Sequence, residues 1–160
     1  MRIMRYIFIL FIISSCGFKP MMAKNEDGFQ VFERVQLSEV KGQDQPRLYR
    51  IISESMGDNF GISPIYQLKI QVNNEISATG VMKDSLSTRY KVKVTFNYQL
   101  TEIDTQENID QGSIYLYSSY DIADSEFQNY IAERYTNDNI LKELCEELKG
   151  HLILVLSTRS

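Results

Sequence analysis

Four cations are the residues here whose type and spacing could bind something charged. Arg89, Lys91 and Lys93 alternate with Tyr90, Val92 and Val94, and Lys69 alternates in the same way among Leu68 and Ile70. A period of two puts each odd-numbered set on one face of a strand. Arg and Lys hold phosphate or carboxylate through charge-assisted hydrogen bonds, so a strip of this kind could take an anion. A solvated strand face is also polar, and lysine discourages strand aggregation, so the same pattern fits an inert surface.

Groups for bond-breaking chemistry are scarce. His151 is the single histidine and lies in an apolar helical pattern. Cys145 falls among Leu141, Leu144 and Leu148, the setting of a buried, inert thiol. One histidine and one such cysteine do not make a zinc site. No GxSxG elbow, Gly-rich phosphate loop or calcium-loop spacing occurs. The adjacent Glu146 and Glu147 read as a solvated face. The expectation is a binding or assembly protein with no cofactor, metal or catalytic residue.

One further thiol has its own chemistry. Arg2 and Arg5 precede an unbroken apolar run, Tyr6 to Ile13, followed by Ile13-Ser14-Ser15-Cys16-Gly17. A basic start and a short apolar stretch make a secretory signal, shorter than the roughly 20 residues a membrane-spanning helix needs. An aliphatic residue, two small residues and a cysteine look like a bacterial lipobox. Small residues enter a peptidase cleft, and the thiol is the nucleophile that takes up diacylglycerol. Residues 1–15 are thus expected to be removed, with Cys16 the lipidation site. Several acyl chains at about 0.8 kcal/mol per buried CH₂ hold a protein stably at a membrane. Gly17 stands where an aspartate, by resemblance to enterobacterial lipoproteins, would favour inner-membrane retention. The outer membrane is therefore the expected location.

The rest must be a small acidic domain. Losing Arg2 and Arg5 from 17 basic residues leaves 15 against 21 acidic, a net −6 over 145 residues. That length suits one hydrophobic core, and that charge suits no nucleic acid. With Cys16 lipidated, Cys145 has no disulfide partner. Residues 16–28 read as a lipidated tether and 29–160 as a single domain.

The elements that position these residues follow from periodicity. A first strand is expected near 31–40. Asp44 or Gln45 can cap a helix with Pro46 in its first turn and Leu48, Ile51, Ile52 and Met56 on one face. Strict alternation marks strands over 66–73 and 89–100, with a long polar loop over 73–87 between them. A turn over 107–112 precedes a fourth strand over 113–120, which carries aromatic residues on both parities. A long helix starts after a cap at Asp124 or Ser125, with residues 136–139 weakening or kinking its middle. A right-handed crossover makes the first two strands parallel. The expected fold is an α/β (α+β) sandwich of order β-α-β-β-β-α. Two helices pack on one face of a four-stranded mixed sheet, and the other face is hydrophilic.

The mature start, Cys16-Gly17-Phe18-Lys19-Pro20, resembles the lipopolysaccharide-assembly lipoprotein family LptE. Val35-Gln36-Leu37 and Leu48-Tyr49-Arg50 are similar to its first strand and helix. The stretch from Ser87-Thr88-Arg89-Tyr90 to Asn97-Tyr98-Gln99-Leu100 resembles its central strand. Ser119-Tyr120-Asp121, then Ala132-Glu133-Arg134 and the leucine-rich helix, resemble its C-terminal part. The joint pattern is most similar to the alphaproteobacterial branch, except that Tyr135-Thr136-Asn137-Asp138 replaces its usual small residues. The resemblance implies a plug inside the outer-membrane barrel LptD that supports barrel assembly and delivery of lipopolysaccharide. The cationic strip of Lys69, Arg89, Lys91 and Lys93 is then expected to contact the anionic lipid or acidic groups of the barrel lumen, and of the four only Arg89 aligns with the family's basic residues. The residues alone leave open a lipid-anchored scaffold of another envelope machine, and a small membrane-attached hydrolase.

Overall fold

The computed structural model describes residues 33–57, 60–81 and 87–159. The expected signal peptide, Cys16 and the expected tether lie outside them. The elements are β1 (Val35–Lys41), α1 (Gln45–Met56), β2 (Tyr66–Val81), β3 (Ser87–Glu102), β4 (Asn108–Asp121) and α2 (Glu126–Ser157). The sheet order is β1-β2-β3-β4. β1 runs parallel to β2, and the other two pairs are antiparallel. This is the expected order and mixed sheet.

Alternation explains the layers. Leu68, Ile70, Val72, Val92, Val94, Phe96, Tyr98 and Leu100 are all buried, on the face that carries the helices. α1 adds Leu48, Ile51, Ile52 and Met56. α2 adds Ile140, Leu141, Leu144, Cys145, Leu148, Leu152 and Leu156. These last residues fall largely at spacings of three and four, so one stripe of the long helix faces the sheet.

Both central strands exceed their expected lengths. β2 and β3 stay paired outward to Val81↔Ser87, so the expected loop over 73–87 is mostly ladder, and only 82–86 falls outside the described residues. Backbone hydrogen bonds make the ladder, whereas side-chain alternation needs a cover to bury it. Ile76, Ala78 and Asn74, on the helix-side parity, are exposed, so this stretch had no pressure to alternate.

β4 likewise starts at Asn108 rather than 113. Its turn is 103–107, with Gln106 in the left-handed region at φ 59°. Gly112, expected in the turn, is a strand residue. A Cβ there would stand 2.8 Å from the Tyr98 hydroxyl. The glycine serves close packing rather than chain reversal.

α2 is unbroken through 136–139, against the expected weak middle. The polar residues there tie the helix to its neighbours. Thr136 is buried, Asn74 Nδ2 donates to Asn137 Oδ1 at 3.1 Å, and Asp138 accepts from Arg47 at 2.5 Å. Asp44 and Ser125 occupy the two N-cap positions, but neither side chain makes a capping hydrogen bond. Pro46 sits in the first turn of α1 as expected. β1 begins at Val35, and residues 31–32 of its expected span lie outside the description.

Candidate functional site

The sheet face turned away from the helices carries the odd-numbered residues of β2, β3 and β4. β3 is central, so its Arg89, Lys91 and Lys93 have neighbours on both sides. Arg89 lies opposite Thr79 and Asp121, Lys91 opposite Ser77 and Ser119, and Lys93 opposite Glu75 and Tyr117. Arg89 Nε donates to Asp121 Oδ1 at 2.8 Å. This charge-assisted bond, then the carboxylate's field, raises the guanidinium pKa. Lys93 Nζ is 3.6 Å from Glu75 Oε1. Lys91 Nζ stands 3.9 Å from the centre of the Tyr117 ring, and Lys93 Nζ 5.4 Å from that of Tyr115. An ammonium over an aromatic face is held by the ring quadrupole.

Lys69 shares the face but not the cluster. It pairs with Gln99 and Glu39. The residue of β2 beside Lys93 is Glu75, six residues on, which is about 20 Å along a strand. The structure therefore brings together Arg89, Lys91 and Lys93, and leaves Lys69 at the other end. Sequence reasoning placed all four cations on one face correctly, because parity is local. It missed their spacing, because that depends on the β2–β3 register.

It also missed Tyr115 and Tyr117. Both rings are about half exposed and meet edge to face at 5.5 Å between centroids. The available signal was the aromatic content on both parities of the fourth strand, since aromatic residues on the solvent parity lack a core to explain them. The assembled surface is a cationic strip beside two tyrosines, bordered by Thr95, Asn97, Ser113 and Ser119. It can hold an anion or pack against a polar wall.

A second polar cluster lies on the helix side. Asp110 Oδ2 is 2.7 Å from His151 Nε2 and accepts from the Tyr98 hydroxyl at 3.1 Å. The histidine is thus a surface-lying helix residue tied to β4. Burial, then the bond to Asp110, pushes the Tyr98 phenol up to about 12. Burial likewise raises the Cys145 thiol to about 12, the inert state expected for it. Among the described residues no group of three His, Cys, Asp or Glu could hold a metal ion. An open cleft of about 380 Å³ beside β1 and α1 is lined by Gln36, Tyr49, Ser53 and Phe60 among others, and the described residues of its lining include no carboxylate or histidine.

No family model matches the chain, and no curated protein does. Solved structures do. A lipoprotein of Caulobacter crescentus is 14% identical with a TM-score of 0.63, over 83% of this chain and 97% of that one. A minor lipoprotein of Acinetobacter baumannii is 12% identical with a TM-score of 0.57, over 77% and 92%. Rare lipoprotein B of Shewanella oneidensis is 12% identical with a TM-score of 0.52, over 79% and 95%. The chain shares the fold of these bacterial lipoproteins across nearly their whole length.

Proposed function

We propose that this chain is an outer-membrane lipoprotein, anchored through Cys16, that plugs an LptD-type β-barrel and assists delivery of lipopolysaccharide. The observation that carries the reading is the fold shared with rare lipoprotein B, to which the sequence resemblance to LptE adds the role. Two features of the chain support it. A helix-backed sheet with one hydrophilic face suits a hydrated lumen, where that face meets water and the barrel wall while the core stays dry. The lipobox supplies the anchor that keeps the domain beside the outer membrane. The role is non-catalytic, resting on docking and on anion contact.

In this reading Lys91 and Lys93 are the cations that meet phosphates of the lipid or acidic groups of the lumen. Arg89 reaches a ligand only by exchanging Asp121 for it, and Lys69 contacts a separate region. Reversing Lys91 and Lys93 to Glu should weaken lipopolysaccharide binding in a salt-dependent way, with the circular dichroism spectrum intact.

The decisive experiment is affinity purification of the lipidated chain from outer membranes, with identification of the partner, combined with depletion. Recovery of an LptD-type barrel at one-to-one stoichiometry, and loss of assembled barrel on depletion, are the expected results. Recovery of a different barrel machine assigns the chain to that machine instead. Normal barrel and surface lipopolysaccharide under full depletion sink the reading.

A further inference from the structure

The two edges of the sheet are built differently. β1 is a seven-residue edge with a register shift between Leu37 and Glu39. It carries the Lys41–Glu39 ion pair, and the Ser38 hydroxyl donates to the Leu68 carbonyl. A short, charged, irregular strand is a poor template for another chain. β4 is 14 residues long. From 111 to 120 it has no charged residue and no proline. Its register against β3 is continuous from Arg89↔Asp121 to Leu100↔Asp110. Every second residue of such a strand turns its N–H and C=O away from β3, and among the described residues no further strand of the sheet lies beyond β4. Its side chains are also incompletely covered. Ile114 and Leu116 pack on the core but are only half-buried, and Ser118, on the same parity, is exposed.

We infer that the outer edge of β4 accepts an extended polypeptide segment as a fifth strand, one with apolar residues on one parity and acidic residues on the other. The apolar parity would extend the layer of Ile114 and Leu116. The acidic parity would face the side of Tyr115 and Tyr117, where Lys91 leans onto the edge strand with no ion-pair partner among the described residues. A second copy of the chain fits less well. α2 packs against β4, and a β4–β4 pair would set the strands about 4.8 Å apart while their helices need about 8–10 Å. The wall of a closed barrel offers no strand edge. A single extended segment brings neither obstacle, and backbone pairing gives affinity while alternate side chains give specificity. This inference stands apart from the plug role.

Fluorescence anisotropy with the full-length chain in detergent tests it, using a nine-residue peptide that alternates valine with glutamate. Saturable binding is expected, about tenfold tighter than for a valine–lysine peptide at low salt, and K91E should reverse that preference. Two further peptides carry N-methyl groups on the backbone of one parity or the other. One should lose binding and the other keep it, because a paired strand uses only alternate N–H groups. This readout needs no protein variant and survives a failure of K91E to fold. No binding, equal binding of the two charge types, or indifference to N-methylation on both parities overturns the inference. So does a concentration-dependent dimer that excludes the peptide, which would give the edge to a second copy.

Discussion

Strand β2 has a covered end and an overhanging end, and they obey different rules. At the covered end, residues 66–73 of β2 face α1 and α2, and every second side chain is buried or half-buried. At the overhang, the same ladder with β3 continues, but residues 74–79 are bare on both faces. The neighbouring half of α2 shares this character, since Phe127, Tyr130, Ile131 and Tyr135 are all exposed. Strand pairing is identical in kind at both ends. What differs is the second layer, so pairing sets the extent of this sheet while packing sets where its residues are restricted.

The largest effect that could break this contrast is a core truncation. Phe96→Ala, at a fully buried position, should lower the free energy of unfolding by about 3–5 kcal/mol in urea denaturation. Ile76→Ala on the overhang should cost under about 0.5 kcal/mol. Comparable losses would mean that the overhang is covered in solution.

Alkaline titration comes next. Cys145 and Tyr98 both have folded pKa values raised to about 12, from 9.0 and 10.0. Each therefore binds its proton more tightly when folded, and stability is complete below the unfolded value and falls as pH rises from there towards 12. Urea midpoints should drop from about pH 9 upwards, and Cys145→Ala should delay the onset to about pH 10. A midpoint flat to pH 11 would contradict the burial of both groups.

Smaller again is the tie between the helices. Arg47 and Asp138 form a partly buried ion pair at 2.5 Å, and Asp138→Ala, which strands the guanidinium, should cost about 1–3 kcal/mol. Last, native-state hydrogen exchange should show faster opening for amides of residues 74–81 than for 66–73. Equal protection would show one cooperative unit where the packing divides two.

The same contrast explains what the sequence made legible. Leu68, Ile70, Val92 and Val94 announce themselves because burial on one side and water on the other write a period of two. Asn74, Glu75 and Ser77 announce nothing, so residues 73–87 look like a loop although most of them are strand. Gly112 misleads in the opposite direction. Its reason is Tyr98, fourteen positions earlier, and a glycine at a close approach looks locally like a glycine in a turn. Asn137 and Asp138 look like helix breakers for want of Asn74 and Arg47, which lie far away in the chain. At the candidate site the parity of Lys91 and Lys93 could be read directly. The separation of Lys69 and the pairing of Arg89 with Asp121 needed the register.

The crossover from β1 to β2 has a consequence for the order of events when the chain emerges from its N-terminus. Val35 pairs with Tyr66, so the first strand to appear waits 31 residues for its neighbour. β2, β3 and β4 then join as successive antiparallel neighbours, whose pairing closes short loops and is fast relative to long-range contacts. Most of the lid over their apolar face is α2, the last of the described elements to arrive. Until residue 157 is free, Val92, Val94 and Phe96 stand open beside the unblunted edge of β4. The chain is therefore at its most adhesive before α2 has emerged, and a holding chaperone would have its longest useful contact while β2, β3 and β4 stand uncovered.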